Sequence, residues 1–231
     1  MAITINGSAN TVAGLAAGGL PDNTVDGGNL AMGSDAAGDV LYYNGTDYIR
    51  LAKGTDGQVL TLASGVPTWA AAAATGLNEA DQWRITSGQS IPANTDTVLA
   101  SNWERVDTNA QGKLGTGLTE SSGVFTFPST GVWHVSFNAM VEESSDCERA
   151  GTYISLTENN GTNWSTVVEG LGSVNATGTA YQVPHCNSLV DVTDASNVKV
   201  RFMGNASDAT VFDGSSSSSR TYVTFIRYGD T

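Results

Sequence analysis

The stretch Gly131-Val132-Trp133-His134-Val135-Ser136-Phe137-Asn138-Ala139-Met140-Val141 decides the fold class. Trp133, Val135, Phe137, Ala139 and Val141 fall on one face; His134, Ser136 and Asn138 fall on the other. Successive side chains of a strand point to opposite faces, so period two predicts a strand with one buried face. Val198, Val200 and Phe202 alternate with Lys199 and Arg201 in the same way. The run Tyr222-Val223-Thr224-Phe225-Ile226 is largely apolar on both faces. That pattern predicts a strand covered on both sides, inside a sandwich or against a neighbouring subunit. Between these runs, short apolar stretches recur with Gly, Asn, Asp and Ser between them, the spacing of an all-β domain. The best helix candidate, Leu77 to Trp83, is only one or two turns. Without strand–helix alternation the doubly wound nucleotide folds are excluded. Residues 77–231 are therefore expected to form one β-sandwich.

Composition narrows the function classes. Of 231 residues, 27 are Gly and 40% are hydrophobic, so a core can form. Charged residues make up 14%, well below the usual ~25%. The net charge is −13, and the basic residues lie scattered, so binding to a phosphate backbone is not expected. No apolar run is long enough to span a bilayer as a helix, and the N-terminus lacks a basic secretory start. The acidity reads as solubility at high local copy number. No cofactor is implied.

Residues 39–76 read as a different module. Asp39-Val40-Leu41-Tyr42-Tyr43-Asn44-Gly45-Thr46-Asp47-Tyr48-Ile49-Arg50-Leu51 reads as two β-rich runs around Asn44-Gly45, a pair suited to the positive φ angles of a type I′ hairpin turn. A second pair, Gln58 to Leu62 and Val66 to Trp69, flanks Ser64-Gly65. Ala70 to Ala74 are too few to hold a helix and read as a linker. Two hairpins alone cannot bury their faces, so they call for copies of themselves or another domain. Residues 1–38 are rich in Gly and Ala, with Ile3, Ile5, Val12, Leu15 and Leu20 as single apolar anchors. They read as an extended arm laid on a partner, or as a disordered terminus.

Catalytic signatures are absent: no Gly-x-Ser-x-Gly elbow, no His-Glu-x-x-His, no phosphate loop. His134 and His185 come with no nucleophile motif. Glu142, Glu143, Asp146 and Glu148 suggest an acidic turn after the long strand, and less readily a cation site. Cys147 and Cys186 lack metal-ligand spacing; buried thiols and a single disulfide both stay open. Six Asn-x-Ser/Thr sequons follow from composition. Asn160, Asn163 and Trp164 place an aromatic among amides, a pattern that suits a sugar; Trp164 packed as core is the other reading. Residues 204–219, ending in five serines, read as a solvated loop.

The 38–69 stretch (Gly38-Asp39-Val40-Leu41-Tyr42-Tyr43-Asn44-Gly45-Thr46-Asp47-Tyr48, Gly57-Gln58-Val59-Leu60-Thr61-Leu62, Gly65-Val66-Pro67-Thr68-Trp69) resembles the shaft module of bacteriophage tail fibres. The opening Ile5-Asn6-Gly7-Ser8-Ala9-Asn10-Thr11-Val12-Ala13-Gly14-Leu15 resembles that of phage virion appendage proteins. The stretch Phe125 to Phe137 and the terminal Tyr222 to Asp230 are similar to the complement and tumour-necrosis-factor type of trimeric jelly roll. The resemblance implies a homotrimer with an arm at 1–38, a hairpin shaft and linker at 39–76, and a jelly-roll knob at 77–231. It implies a virion protein, assembled in the host cytoplasm, with no catalysis and no metal. Its partners would be itself, other tail or capsid proteins, and a host-surface glycan or protein; nucleic acid and membrane insertion are not implied. A tail fibre that attaches to the host is the first expectation, with Asn160, Asn163 and Trp164 at the receptor and the five anchors at the virion. A capsid decoration or head-fibre protein comes second, and a polysaccharide-degrading spike third.

Overall fold

The chain divides into two units, residues 1–74 and 75–231, and the described residues of the first form three hairpins. The computed structural model describes residues 4–6, 11–13, 30, 32–72, 76–143, 147–174 and 178–231. The hairpins are β1 (Thr4–Asn6) with β2 (Thr11–Ala13), β3 (Val40–Tyr43) with β4 (Tyr48–Leu51), and β5 (Gln58–Ala63) with β6 (Val66–Ala71). The type I′ geometry expected at Asn44-Gly45 occurs instead at Ser64 and Gly65, with φ of 52° and 80°. Tyr43 pairs with Tyr48, which leaves a four-residue loop. There the Asn44 side chain accepts the N–H groups of Thr46 and Asp47, both at 2.8 Å. This local cap favours the wider turn over the two-residue one. Ala70 and Ala71 pair with Val59 and Gln58, so the alanine run begins as strand and not as linker.

Asp39 anchors the second hairpin. It accepts from the Ala36 amide at 2.7 Å, from Arg50 at 2.8 Å and from the Lys53 amide at 2.7 Å. Those bonds, the Ala36 amide foremost, hold its carboxyl below its ordinary value. Few apolar groups are buried here. Leu41, Tyr43, Tyr48, Leu60 and Leu62 are all exposed, Leu62 by 72%.

In the second unit the strands are β7 (Ala80–Ile85), β8 (Gln89–Ile91), β9 (Thr97–Val98), β10 (Trp103–Arg105), β11 (Thr119–Ser121), β12 (Val124–Thr126) and β13 (Gly131–Asn138). They continue as β14 (Val141–Glu143), β15 (Cys147–Thr157), β16 (Ser165–Val174), β17 (Ala180–Gln182), β18 (His185–Val192), β19 (Lys199–Ala206), β20 (Thr210–Phe212) and β21 (Tyr222–Gly229). One sheet has the order β10-β7-β21-β13-β18. The facing sheet runs β11-β12-β19-β15-β16, with β9 also on β19. A small sheet, β17-β14-β20-β8, closes one end. From β12 onward the chain crosses repeatedly between the two large sheets, from β12 to β13, from β18 to β19 and from β19 by way of β20 to β21, with the β15–β16 hairpin kept within one of them. The strand ladders among the described residues are antiparallel. That is a jelly roll. No helix occurs among the described residues, and the helix candidate at 77–83 enters β7 instead.

The core follows the period-two reading. Trp133, Val135, Phe137, Ala139, Val141, Val200, Phe202, Val223 and Phe225 are all fully buried. Phe125 sits at the centre, 5.1 Å from Trp103, 5.4 Å from Phe202 and 5.4 Å from Phe225. The 131–141 run is two strands and not one: β13 stops at Asn138, and Val141 starts the small sheet. The 204–219 loop is likewise shorter than expected, because β19 and β20 occupy much of it. β21 is buried on one face only. Val223 and Phe225 point inward, while Tyr222, Thr224 and Ile226 are half-exposed.

Candidate functional site

Residues 158–164 connect β15 to β16, and their own side chains fix the turn. Thr157 Oγ1 accepts the Gly161 amide at 3.0 Å, and Asn159 Oδ1 accepts the Asn163 amide at 2.9 Å. The Asn160 amide donates to Asn197 O at 3.0 Å, and Asn160 takes a φ of 54°. Asn160 and Asn163 are exposed, as a binding role requires. Trp164 is half-buried. It is neither core nor free platform: the Arg201 guanidinium carbon lies 4.4 Å from its ring centroid. Cation–aromatic attraction holds such a stack.

Arg201 was not singled out by the sequence. It projects from the outer face of β19 between Val124 of β12 and Ser155 of β15, and Ser155 in turn pairs with Thr166 of β16. Every other arginine donates a hydrogen bond to a described residue. Arg201 donates none, and its Nε is buried without an acceptor. Burial lowers its pKa from the ordinary arginine value. A legible signal was Lys199 and Arg201 two residues apart on one strand face of an acid-rich chain.

The strand order carries the fold, and comparison with known proteins adds little beyond it. No family model matches the chain, and no curated protein matches it in sequence. Among solved structures it is similar to murine APRIL, at 13% identity and a TM-score of 0.48, over 64% of this chain and 98% of that one. It is also similar to the Eiger TNF of S. frugiperda, at 10% identity and a TM-score of 0.49, over 66% and 93%.

A second surface is the outer face of the β10-β7-β21-β13-β18 sheet. Register sets up three rows: Ala80, Ile226, His134 and Leu189; Gln82, Thr224, Ser136 and Asn187; Arg84, Tyr222, Asn138 and His185. Leu189 is 64% exposed and Tyr228 57%. Tyr228 stacks on His134 at 6.0 Å and 12°. Arg84 is buried at one end, donating to Ser216 O at 2.5 Å and to Glu104 at 3.3 Å. Part of the serine run is thus pinned over a cation.

The remaining candidates fall on different elements. Glu142 and Glu143 lie in β14 and Glu148 in β15, so these three are strand residues and not turn residues; Asp146 lies outside the described residues. Glu142 is exposed, whereas Glu143 is buried with its Oε1 unpartnered. No cluster of His, Cys, Asp and Glu among the described residues could hold a metal. Cys147 and Cys186 are free and buried, so the disulfide reading falls. Burial pushes the Cys186 thiol up from its ordinary value. Of the five docking anchors, Ile3, Leu15 and Leu20 lie outside the described residues. Ile5 and Val12 pair with each other across β1 and β2.

Proposed function

We propose that the chain is a homotrimeric attachment protein of a virion, most simply a tail fibre, whose jelly roll meets the host surface. Self-association rests on the outer face of the first sheet. Leu189 and Tyr228 are exposed on it and Ile226 and Tyr222 half-exposed, apolar groups set among polar ones and uncovered in the single chain. The exposed hairpin side chains of residues 39–69 are a further such surface. Exposed apolar patches of this kind mark association surfaces, and closed symmetry is the usual solution. Three copies and a virion location come from the resemblance of 38–69 to the shaft module. The same resemblance, with no catalytic arrangement found in the sequence, supports binding over catalysis. The five anchors would serve the virion end.

Sedimentation of the full chain at micromolar concentration should give about three times the 23.9 kDa protomer. A folded monomer at that concentration overturns the trimer. Gold-labelled antibody on intact virions should decorate the tail. Decoration of the head would move the protein to the capsid-decoration reading, and no decoration would end the virion reading.

A further inference from the structure

The strongest unassigned feature is the pairing of an unsatisfied guanidinium with an indole on the outer face of the second large sheet. Two adjacent rows build the site. In one, Val124, Arg201, Ser155 and Thr166 lie side by side; in the next are Thr126, Lys199 and Thr157. Neither row contains a carboxylate. In a chain of net charge −13, two neighbouring cations without an acid between them are out of keeping with the rest of the surface. Arg201 donates no hydrogen bond among the described residues, and of its nitrogens Nε is buried without a partner. The terminal nitrogens Nη1 and Nη2 are not among the buried unpartnered atoms, and the guanidinium carbon lies 4.4 Å from the Trp164 ring centroid.

We infer that Arg201, stacked on Trp164, binds the carboxylate of an acidic sugar, with Asn160 and Asn163 receiving the hydroxyls of that sugar. This inference rests on the attachment reading and names its ligand class. A guanidinium edge offers two coplanar N–H donors, and a carboxylate offers two coplanar acceptors at matching separation. The ring contact and the buried Nε restrain the guanidinium beforehand, so less freedom is lost on binding. The exposed amides can each donate and accept, as sugar hydroxyls require. The turn that carries them is held by Thr157 and Asn159 and need not be ordered by the ligand. The overall negative charge does not forbid an anion here. At physiological salt, exposed charges more than about 8 Å away are largely screened. Single-site affinity is expected to be weak, and three sites on one trimer raise it through effective concentration.

The test titrates the full chain with trigalacturonic acid, followed by calorimetry and tryptophan fluorescence. The acid should bind, and its neutral methyl ester should bind about tenfold or more weakly. Arg201→Gln should abolish the preference for the acid. Arg201→Lys should restore part of it, because the charge returns without the planar fork. Asn163→Ala should weaken acid and ester alike. Thermal unfolding of each variant checks folding, and Arg201→Gln pairs with no acid, so it should melt close to wild type. Equal binding of acid and ester, no binding of either, or an unchanged preference in Arg201→Gln overturns the inference. Glucose 1-phosphate bound more tightly than the acid overturns the carboxylate assignment. Adhesion of labelled protein to host cells separates the two readings. Adhesion that Arg201→Gln leaves intact sinks the ligand class and spares attachment. Acid binding without adhesion sinks attachment and spares the site.

Discussion

Trp133→Ala is expected to lower the unfolding free energy by about 3–5 kcal/mol, the range for removing a large aromatic side chain from a packed core. Trp133 is 0% exposed. Its strand pairs with β18 on one side and β21 on the other, so the backbone around it cannot easily close over a hole. The Phe127 ring lies 5.2 Å away and would lose a packed face. The indole N–H has no acceptor among the described residues, so the loss is transfer and cavity energy and not a broken hydrogen bond. Denaturant titration at a fixed protomer concentration measures it, because self-association would otherwise shift the midpoint by mass action. A change below about 1 kcal/mol, the scale of an ordinary surface substitution, would mean that β13 faces the other way.

The strand faces were legible because burial obeys period two wherever one face meets a core. Trp133 to Phe137 and Val198 to Phe202 needed nothing beyond alternation. The run 222–226 misled, since Tyr222, Thr224 and Ile226 look as apolar as a covered face but are half-exposed in one chain. Alternation reports side-chain chemistry and cannot say whether a sheet or a second copy does the covering. Turns were read less well. Asn44-Gly45 has the composition of a two-residue turn, yet the Asn44 side chain found two amide donors and selected a wider one. The 158–164 turn was half legible. Trp164 and its amides stood together in sequence, but the arginine beneath the ring comes from a strand 37 positions further on. Only the register of β15 and β19 brings it there. Buried polar networks were not legible at all, because their members are distant in sequence and match no spacing rule.

One such network gives the other large expected effect. Asp81→Ala should cost about 3–5 kcal/mol, as breaking a buried ion pair does when its partners are left behind. The Asp81 side chain is 0% exposed. Its Oδ1 accepts Arg105 Nε at 3.1 Å. Its Oδ2 accepts Arg105 Nη2 at 3.1 Å, the Trp83 indole N–H at 2.9 Å and the Leu118 amide at 2.9 Å. Arg105 in turn donates to Leu118 O and lies 4.6 Å from the Trp83 ring centroid. The carboxylate therefore ties β7, β10 and the end of the 106–118 connection into one unit. Gly117 permits the approach: its φ is 72°, and a Cβ there would stand 2.7 Å from Asp81 Oδ2. Alanine at 81 leaves the indole and Leu118 N–H groups unpaired and removes the counter-charge of Arg105. Asparagine keeps one acceptor oxygen and the shape, so Asp81→Asn should cost clearly less than Asp81→Ala. Hydrogen exchange should show the Leu118 amide deprotected in the alanine variant while the amides of β13 and β21 keep their order relative to one another. A stability within about 0.5 kcal/mol of wild type would show that the carboxylate is incidental to the fold. Equal losses for the two substitutions would place the effect in charge alone and not in the hydrogen bonds that converge on Oδ2.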